Sequence, residues 1–355
     1  MPVAPIINGG GNPASRGKVI ARVVERPASR WPLRTDQAKG NPRKRGTCRY
    51  TMPRNGLALG AALLAGVGAA AALRRRAKQR GPTDSEIGAR FAADGFVVLR
   101  GFLSAAELRL VTAELRHLIA TKVDALPAGS KFYEDLADKS SLKQLQKMFE
   151  YSALLDALFR GRFQRVAEAC LGGEVLPVNL QFFNKPSCRR VRAGSGGGGG
   201  GGGGALVVRS KPTPAHQDGA YFHLEPCLAV TGWCALDAAD AENGCLRYCV
   251  GSHRDRGPGG AIRPHTPSGV LGFSRHLTSY PEGTDAAREV AMTAAPGDLI
   301  LHCAQMIHMA GMNRTTRERR ALGFIYYAKR AQLDHAAEQR YQAKVAEKWR
   351  AEGKL

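Results

Sequence analysis

None of the eight cysteines forms a C-x-x-C pair, so the spacings match neither a zinc ribbon nor a disulfide framework. Cys227, Cys234, Cys245 and Cys249 fall in a strand-like stretch, where small buried thiols are common, and a reducing compartment is the expectation. Acidic residues are nearly missing from the front of the chain: residues 1–80 hold 17 Lys and Arg against Glu25 and Asp36 alone. Of the net charge of +22, +15 therefore belongs to this segment, while the rest carries 35 basic and 28 acidic residues, or +7. A nucleic-acid reading taken from the overall charge would misplace it, and no nucleic-acid partner is expected. A phosphate-binding loop is missing too. The nine consecutive glycines Gly196–Gly204 are followed by no Lys-Ser/Thr pair and open no helix, so residues 193–205 read as a flexible insertion between two strands. No internal repeat is visible.

Residues 1–55 are rich in Arg, Pro, Gly and Asn, lack apolar periodicity, and read as a disordered basic tail. Gly56–Leu73 is an uncharged run of 18 residues, followed by Arg74-Arg75-Arg76. Its length suits a membrane span, but eight Ala and four Gly make its insertion marginal. Segment 56–80 thus reads equally as a membrane anchor or as an Arg-rich, acid-poor organelle-targeting peptide. Met52 stands just ahead of it, an alternative start.

The folded body is expected over 81–355. Phe96–Leu99 reads as a strand after Asp94-Gly95, and Ser104-Ala105-Ala106-Glu107 as a capping box ahead of Leu108, Val111, Leu115 and Leu118 at helical spacing. Helix is expected from Leu142 to Cys170, ended by Gly172-Gly173. Strands follow at Leu176–Asn184, Leu228–Leu236, Leu246–Val250, Asp298–His302 and Ala321–Tyr327, and a charged surface helix at Gln332–Trp349. Helices first and strands after argue for an α+β domain with a β-sandwich or barrel at its centre.

The chemistry concentrates at His216-Gln217-Asp218, His308 and Arg319. Two imidazoles and a carboxylate on one face of a metal leave three positions open, the facial triad of non-haem Fe(II) oxygenases. Arg319, eleven residues past His308, offers a planar fork for a carboxylate. His223-Leu224-Glu225 and His253-Arg254-Asp255 also satisfy H-x-D/E, and His302 competes with His308. Gly251-Ser252-His253 reads as an outer turn, and His302 as a residue inside a strand, whereas His308 precedes the Gly311/Asn313 turn leading to Arg319. These arguments rank the candidates and leave the alternatives standing.

From Ser85 to Arg330 the chain resembles the phytanoyl-CoA dioxygenase family of Fe(II)/2-oxoglutarate oxygenases. The pieces run in order: Phe91–Phe102, Phe183-Asn184-Lys185-Pro186, His216–Phe222, Trp233–Leu236, Glu242–Leu246, Gly251-Ser252-His253, Gly297-Asp298 through His308, then Asn313 and Arg319. The resemblance implies a double-stranded β-helix (jelly-roll, cupin-like) core with flanking N-terminal helices. It implies Fe(II) on His216, Asp218 and His308, 2-oxoglutarate on Arg319, and Trp233 and Gln181 lining the co-substrate pocket. Lys143 is the candidate for a further basic residue near the co-substrate, and Tyr221, Phe222 and His223 for residues facing the site. O2 is the implied oxidant and ascorbate an auxiliary reductant. The implied reaction hydroxylates an unactivated C–H bond of a small-molecule or acyl-type substrate and releases succinate and CO2; the basic excess of the body fits an anionic substrate. Related halogenases replace the carboxylate ligand by a small residue, so Asp218 favours hydroxylation. The family's Ser two residues after the distal histidine is here Ala310. The rival reading is a non-catalytic β-helix binding protein tethered to a membrane through 56–73.

Overall fold

A computed structural model of the chain describes residues 81–191, 205–255, 261–270 and 273–351. The tail, the apolar segment 56–80 and the glycine tract lie outside the described residues. Among the described residues no helix is long and apolar enough to cross a membrane.

Helix α1 (Asp84–Asp94) opens on a capping box in which the Thr83 hydroxyl accepts from the Glu86 N–H and the Glu86 carboxylate accepts from Thr83. It stops at Gly95, whose φ of 76° is left-handed; a Cβ there would stand 2.5 Å from the His253 ring. Strand β1 (Phe96–Leu99) follows. Helix α2 (Ala105–Thr121), capped by Ser104 and Glu107, buries Val111, Leu115 and Leu118 at the expected spacing.

The next stretch corrects the sequence reading. Leu142 begins no helix: after β2 (Lys131–Tyr133), residues Leu142–Leu145 form β3, all four buried. Apolar residues three apart fit a turn of helix as well as a buried strand, and pairing with β2 and with β4 (Val175–Lys185) decides. Helix is confined to α3 (Ala153–Leu158), a π-helical turn at Phe159–Phe163, and α4 (Gln164–Leu171), which ends at left-handed Gly172.

Strands β5 (Arg189–Val191) and β6 (Ala205–Val207) pair antiparallel, so the glycine tract connects two paired strands, and Ala205 belongs to the second of them. Beyond lie β7 (Thr213–His216), α5 (Gly219–Phe222), β8 (Leu224–Glu225), β9 (Ala229–Ala235) and β10 (Leu246–Cys249). The chain continues through β11 (His265–Val270), β12 (Phe273–Leu277), α6 (Asp285–Arg288), β13 (Glu289–Met292), β14 (Leu299–Cys303) and β15 (His308–Ala310). It closes with β16 (Arg319–Ala328), β17 (Gln332–Leu333) and α7 (His335–Ala351), so Gln332 and Leu333 are strand where helix was expected.

The architecture is α+β with antiparallel sheets. A seven-stranded sheet runs β1-β14-β9-β16-β4-β3-β2, and a four-stranded sheet β13-β10-β15-β7. Helices α1–α4 cover one face of the large sheet, where Leu299, Leu301, Leu322, Phe324 and Tyr326 join Val111, Leu115, Phe159 and Phe163 in the main core. The opposite face shares a second core with the small sheet: Ile300, Trp233 and Ala321 pack with Leu246, Tyr248 and Met292. Strand alternation thus sends every second residue of β14 and β16 into the space between the sheets.

Candidate metal centre and anion pocket

His216 closes β7 and lies directly opposite His308 on β15. Asp218 follows two residues later, its carboxylate brought back by the Gly219 N–H, which donates to the Ala304 carbonyl at 2.8 Å. The Nε2 atoms of His216 and His308 stand 3.5 and 3.7 Å from Asp218 Oδ1. One donor atom from each of the three residues lies within 4.8 Å of the others, and all three residues are buried. The two rings are fixed alike. His216 Nδ1 faces the Pro214 carbonyl at 2.8 Å and His308 Nδ1 the Met306 carbonyl at 3.0 Å. A carbonyl can only accept, so Nδ1 carries the proton and each Nε2 lone pair turns toward the carboxylate.

The electrostatics agree. Burial, then the neighbouring His216 and His302, push His308 well below the ordinary histidine range and keep it neutral. Burial alone would raise the Asp218 carboxyl, but the surrounding His308, His216 and His302 imidazoles outweigh it and hold it well below its usual range. Two imidazoles and one carboxylate converging on one point fit a divalent metal of the Fe(II) type.

His302, the competitor of His308, lies inside a strand as expected and also reaches the site: Nε2 is 3.2 Å from Asp218 Oδ2, and its ring centre is 4.3 Å from that of His308. The Tyr248 hydroxyl contacts its Nδ1 at 2.7 Å, and the Thr231 hydroxyl donates to the same Asp218 oxygen. Parity would have found it, since His302 lies two residues past Ile300 and shares its inner face. Tyr248 and Thr231 carried no such signal. His253 sits in a turn packed against Gly95, and Glu225 is exposed, so the other two H-x-D/E pairs stay outside the cluster.

Arg319 begins β16 and is 5% exposed, its guanidinium 5.3 Å from the centre of the Trp233 ring. Its Nε has no hydrogen-bond partner, and no carboxylate among the described residues pairs with it. Burial lowers its pKa to about 10, still charged at neutral pH. The neighbouring arginines differ: Arg317 pairs with Asp240 at the surface, and Arg320 makes a half-buried pair with Asp237. Trp233 and Gln181 flank Gly323 in one cross-strand row, and the Gln181 side-chain oxygen accepts from Gln144 at 2.8 Å. Ala310 is buried opposite Thr213. Lys143 is buried 3.7 Å from Glu134. Tyr221 sets its ring 5.9 Å from that of His216, whereas Phe222 packs away on Tyr327. His223 contacts Tyr341 of α7.

A buried two-histidine, one-aspartate centre between antiparallel sheets, with a buried arginine free of acidic partners, defines the class of iron/2-oxoglutarate-dependent oxygenases. The sequence profile of the phytanoyl-CoA dioxygenase family matches residues 91–321, and the chain belongs to that family. It is 23% identical over 252 residues to the peroxisomal phytanoyl-CoA dioxygenase of Rattus norvegicus, covering 66% of each chain. It is 34% identical over 258 residues to phytanoyl-CoA dioxygenase domain-containing protein 1 of the same species, covering 66% of this chain and 87% of that one. The chain thus spans just under two thirds of the peroxisomal relatives, 64% for the human protein. Among solved structures it resembles the epimerase SnoN, determined with Fe3+ and alpha ketoglutarate, at a TM-score of 0.51 and 22% identity, covering 74% of this chain and 86% of that one. EvdO2 from Micromonospora carbonacea, complexed with 2-oxoglutarate, gives 0.51 and 24%, covering 72% and 94%. These likenesses establish the fold.

Proposed function

We propose that the protein is an Fe(II)- and 2-oxoglutarate-dependent dioxygenase that hydroxylates an unactivated C–H bond of a small-molecule or acyl-type substrate and releases succinate and CO2. In this reading the two sheets are the walls of a double-stranded β-helix, and residues 81–355 are the catalytic unit. His216, Asp218 and His308 hold the iron. Arg319 takes the distal carboxylate of 2-oxoglutarate, beside Trp233 and Gln181. The observation that carries the proposal is the pairing of a two-imidazole, one-carboxylate cluster with a buried guanidinium that has no acid of its own among the described residues. A desolvated cation without a counter-charge is costly, and a dicarboxylate that also chelates the metal offsets that cost.

The bound metal would supply activation of O2 at the expense of the keto acid. The protein's own work is positional. Backbone carbonyls fix both imidazole tautomers, Asp218 completes the set of residues that would hold the metal, and the inner core of Tyr248, Trp233 and Ile300 excludes water. The test is anaerobic loading of the purified protein with Fe(II) and 2-oxoglutarate, then O2, with succinate measured alone and across a panel of small metabolites. Stoichiometric iron without succinate from any member of the panel would sink the proposal.

A further inference from the structure

Arg319 is not the only buried cation at its end of the sheet. Lys185, the last residue of β4, lies directly across from it in the β4–β16 register and is 4% exposed. Like charges directly opposite on neighbouring strands repel, and burial removes the water that would screen them. The counter-charge is short. Glu134 is the one carboxylate acting on Lys185, and it already faces Lys143 at 3.7 Å and accepts the Lys211 N–H at 3.1 Å. Lys185 and Lys143 therefore both draw on Glu134, and the acid acting on Arg319, Asp237, is already held by Arg320.

The donors are unfilled as well. The Lys185 ammonium donates to the Lys211 carbonyl at 2.8 Å, which uses one of its three N–H bonds, and Arg319 Nε has no partner. The stem of Lys185 is held in place by its surroundings. Gly244, at φ 80°, passes so close that a Cβ there would stand 2.9 Å from Lys185 Cδ and 2.5 Å from the Gly311 carbonyl oxygen. One residue before Gly311, Ala310 lacks the hydroxyl that the family resemblance leads one to expect.

We propose that Lys185 is a second cation for the distal carboxylate of 2-oxoglutarate, reaching it from the strand opposite Arg319 and taking the place of the missing hydroxyl. This rests on the functional reading above. Burial first, then Arg319 and Lys143, press the Lys185 ammonium well below its ordinary range, and Glu134 acts against them. A carboxylate between Lys185 and Arg319 relieves that pressure on both. The pair reads charge at the far end of the keto acid, so it selects a dicarboxylate over a monocarboxylate of equal length.

The experiment compares 2-oxoglutarate with 2-oxopentanoate, the same keto acid without the distal carboxylate, by calorimetric binding to the Mn(II)-loaded protein. Wild type should prefer 2-oxoglutarate strongly. In Lys185→Met that preference should fall by roughly tenfold or more while 2-oxopentanoate binds as before, a split that a merely structural role for Lys185 would not produce. Lys185→Gln should behave alike, and the unliganded melting temperature of Lys185→Met should be equal to or above wild type because a repelled charge is gone. An unchanged preference in both variants overturns the role of Lys185 and leaves the functional reading intact. A wild-type protein that binds iron or manganese but does not distinguish the two acids overturns the functional reading itself.

Discussion

At the scale of single residues, the site separates groups that touch the metal from groups that hold its ligands. His216→Ala, Asp218→Ala and His308→Ala should each abolish stoichiometric Fe(II) binding, because each removes one of three converging donors. His302→Ala should keep one iron per chain but weaken it by about 10- to 100-fold, the usual effect of losing a group that orients a ligand. An anaerobic Fe(II) titration decides, and loss of iron with His302→Ala but not His308→Ala would exchange their roles. The arginines offer a second contrast. Truncating one side of a buried charge pair costs about 2–5 kcal/mol, so Arg319→Ala should raise the KM for 2-oxoglutarate roughly tenfold or more, while Arg317→Ala and Arg320→Ala, whose guanidiniums are each held by an aspartate, change it little. Equal effects at all three would remove Arg319 from the pocket. The H-x-D spacing and the Arg offset were legible in the chain because they are local. Tyr248 and Thr231 were not, because only strand register brings them to His302 and Asp218, and register is a long-range property.

At the scale of elements, caps and periodicity read well and pairing read poorly. Thr83 and Ser104 start helices by side-chain chemistry confined to four residues, so α2 came out of the sequence with its buried face. Leu142–Leu145 did not, since its strand state depends on β4, some forty positions away. Among the elements least visible in sequence are α6 and its neighbours, which one carboxylate ties together. Asp285 is 1% exposed and bonds Arg263 at 2.7 Å and Arg288 at 2.8 Å, joining α6 to the segment before β11. Burial would raise its pKa, but those two guanidiniums and the Glu282 N–H bring it to about 2. A carboxyl depressed in the folded state stabilises fully above its unfolded value of about 3.9, and that contribution is lost as pH falls toward 2. Asp285→Asn, which leaves two half-buried arginines with only Glu282 and Asp255 as acidic partners, should cost about 1–3 kcal/mol at neutral pH. It should also flatten the melting temperature between pH 4 and 2 relative to wild type. Parallel acid profiles for the two proteins would show that Asp285 is not the group titrating.

At the scale of the whole molecule, the charge and the chemistry occupy different parts of the chain. Residues 1–80 carry 17 basic and 2 acidic residues, while every residue of the metal centre and anion pocket lies beyond Gly81. The described fold closes on itself from α1 onward: the Thr83 cap starts the first helix, and Ile87 and Phe91 are already in the main core. Among the described residues the main core is built from Ile87 onward. A chain truncated to begin at Gly81 should therefore melt cooperatively within a few degrees of the full chain and bind Fe(II) and 2-oxoglutarate with the same affinities. Its behaviour toward anionic surfaces should change sharply. Removing a balance of +15 leaves +7 on the remainder, so retention on heparin or on vesicles rich in anionic lipid should drop to a fraction of that of the full chain. Because exposed charge is screened over about 10 Å at 0.1 M salt, the retention of the full chain should itself disappear as salt rises. Loss of 2-oxoglutarate binding in a truncated protein that still melts cooperatively would place part of the front segment in the enzyme and move the domain boundary upstream.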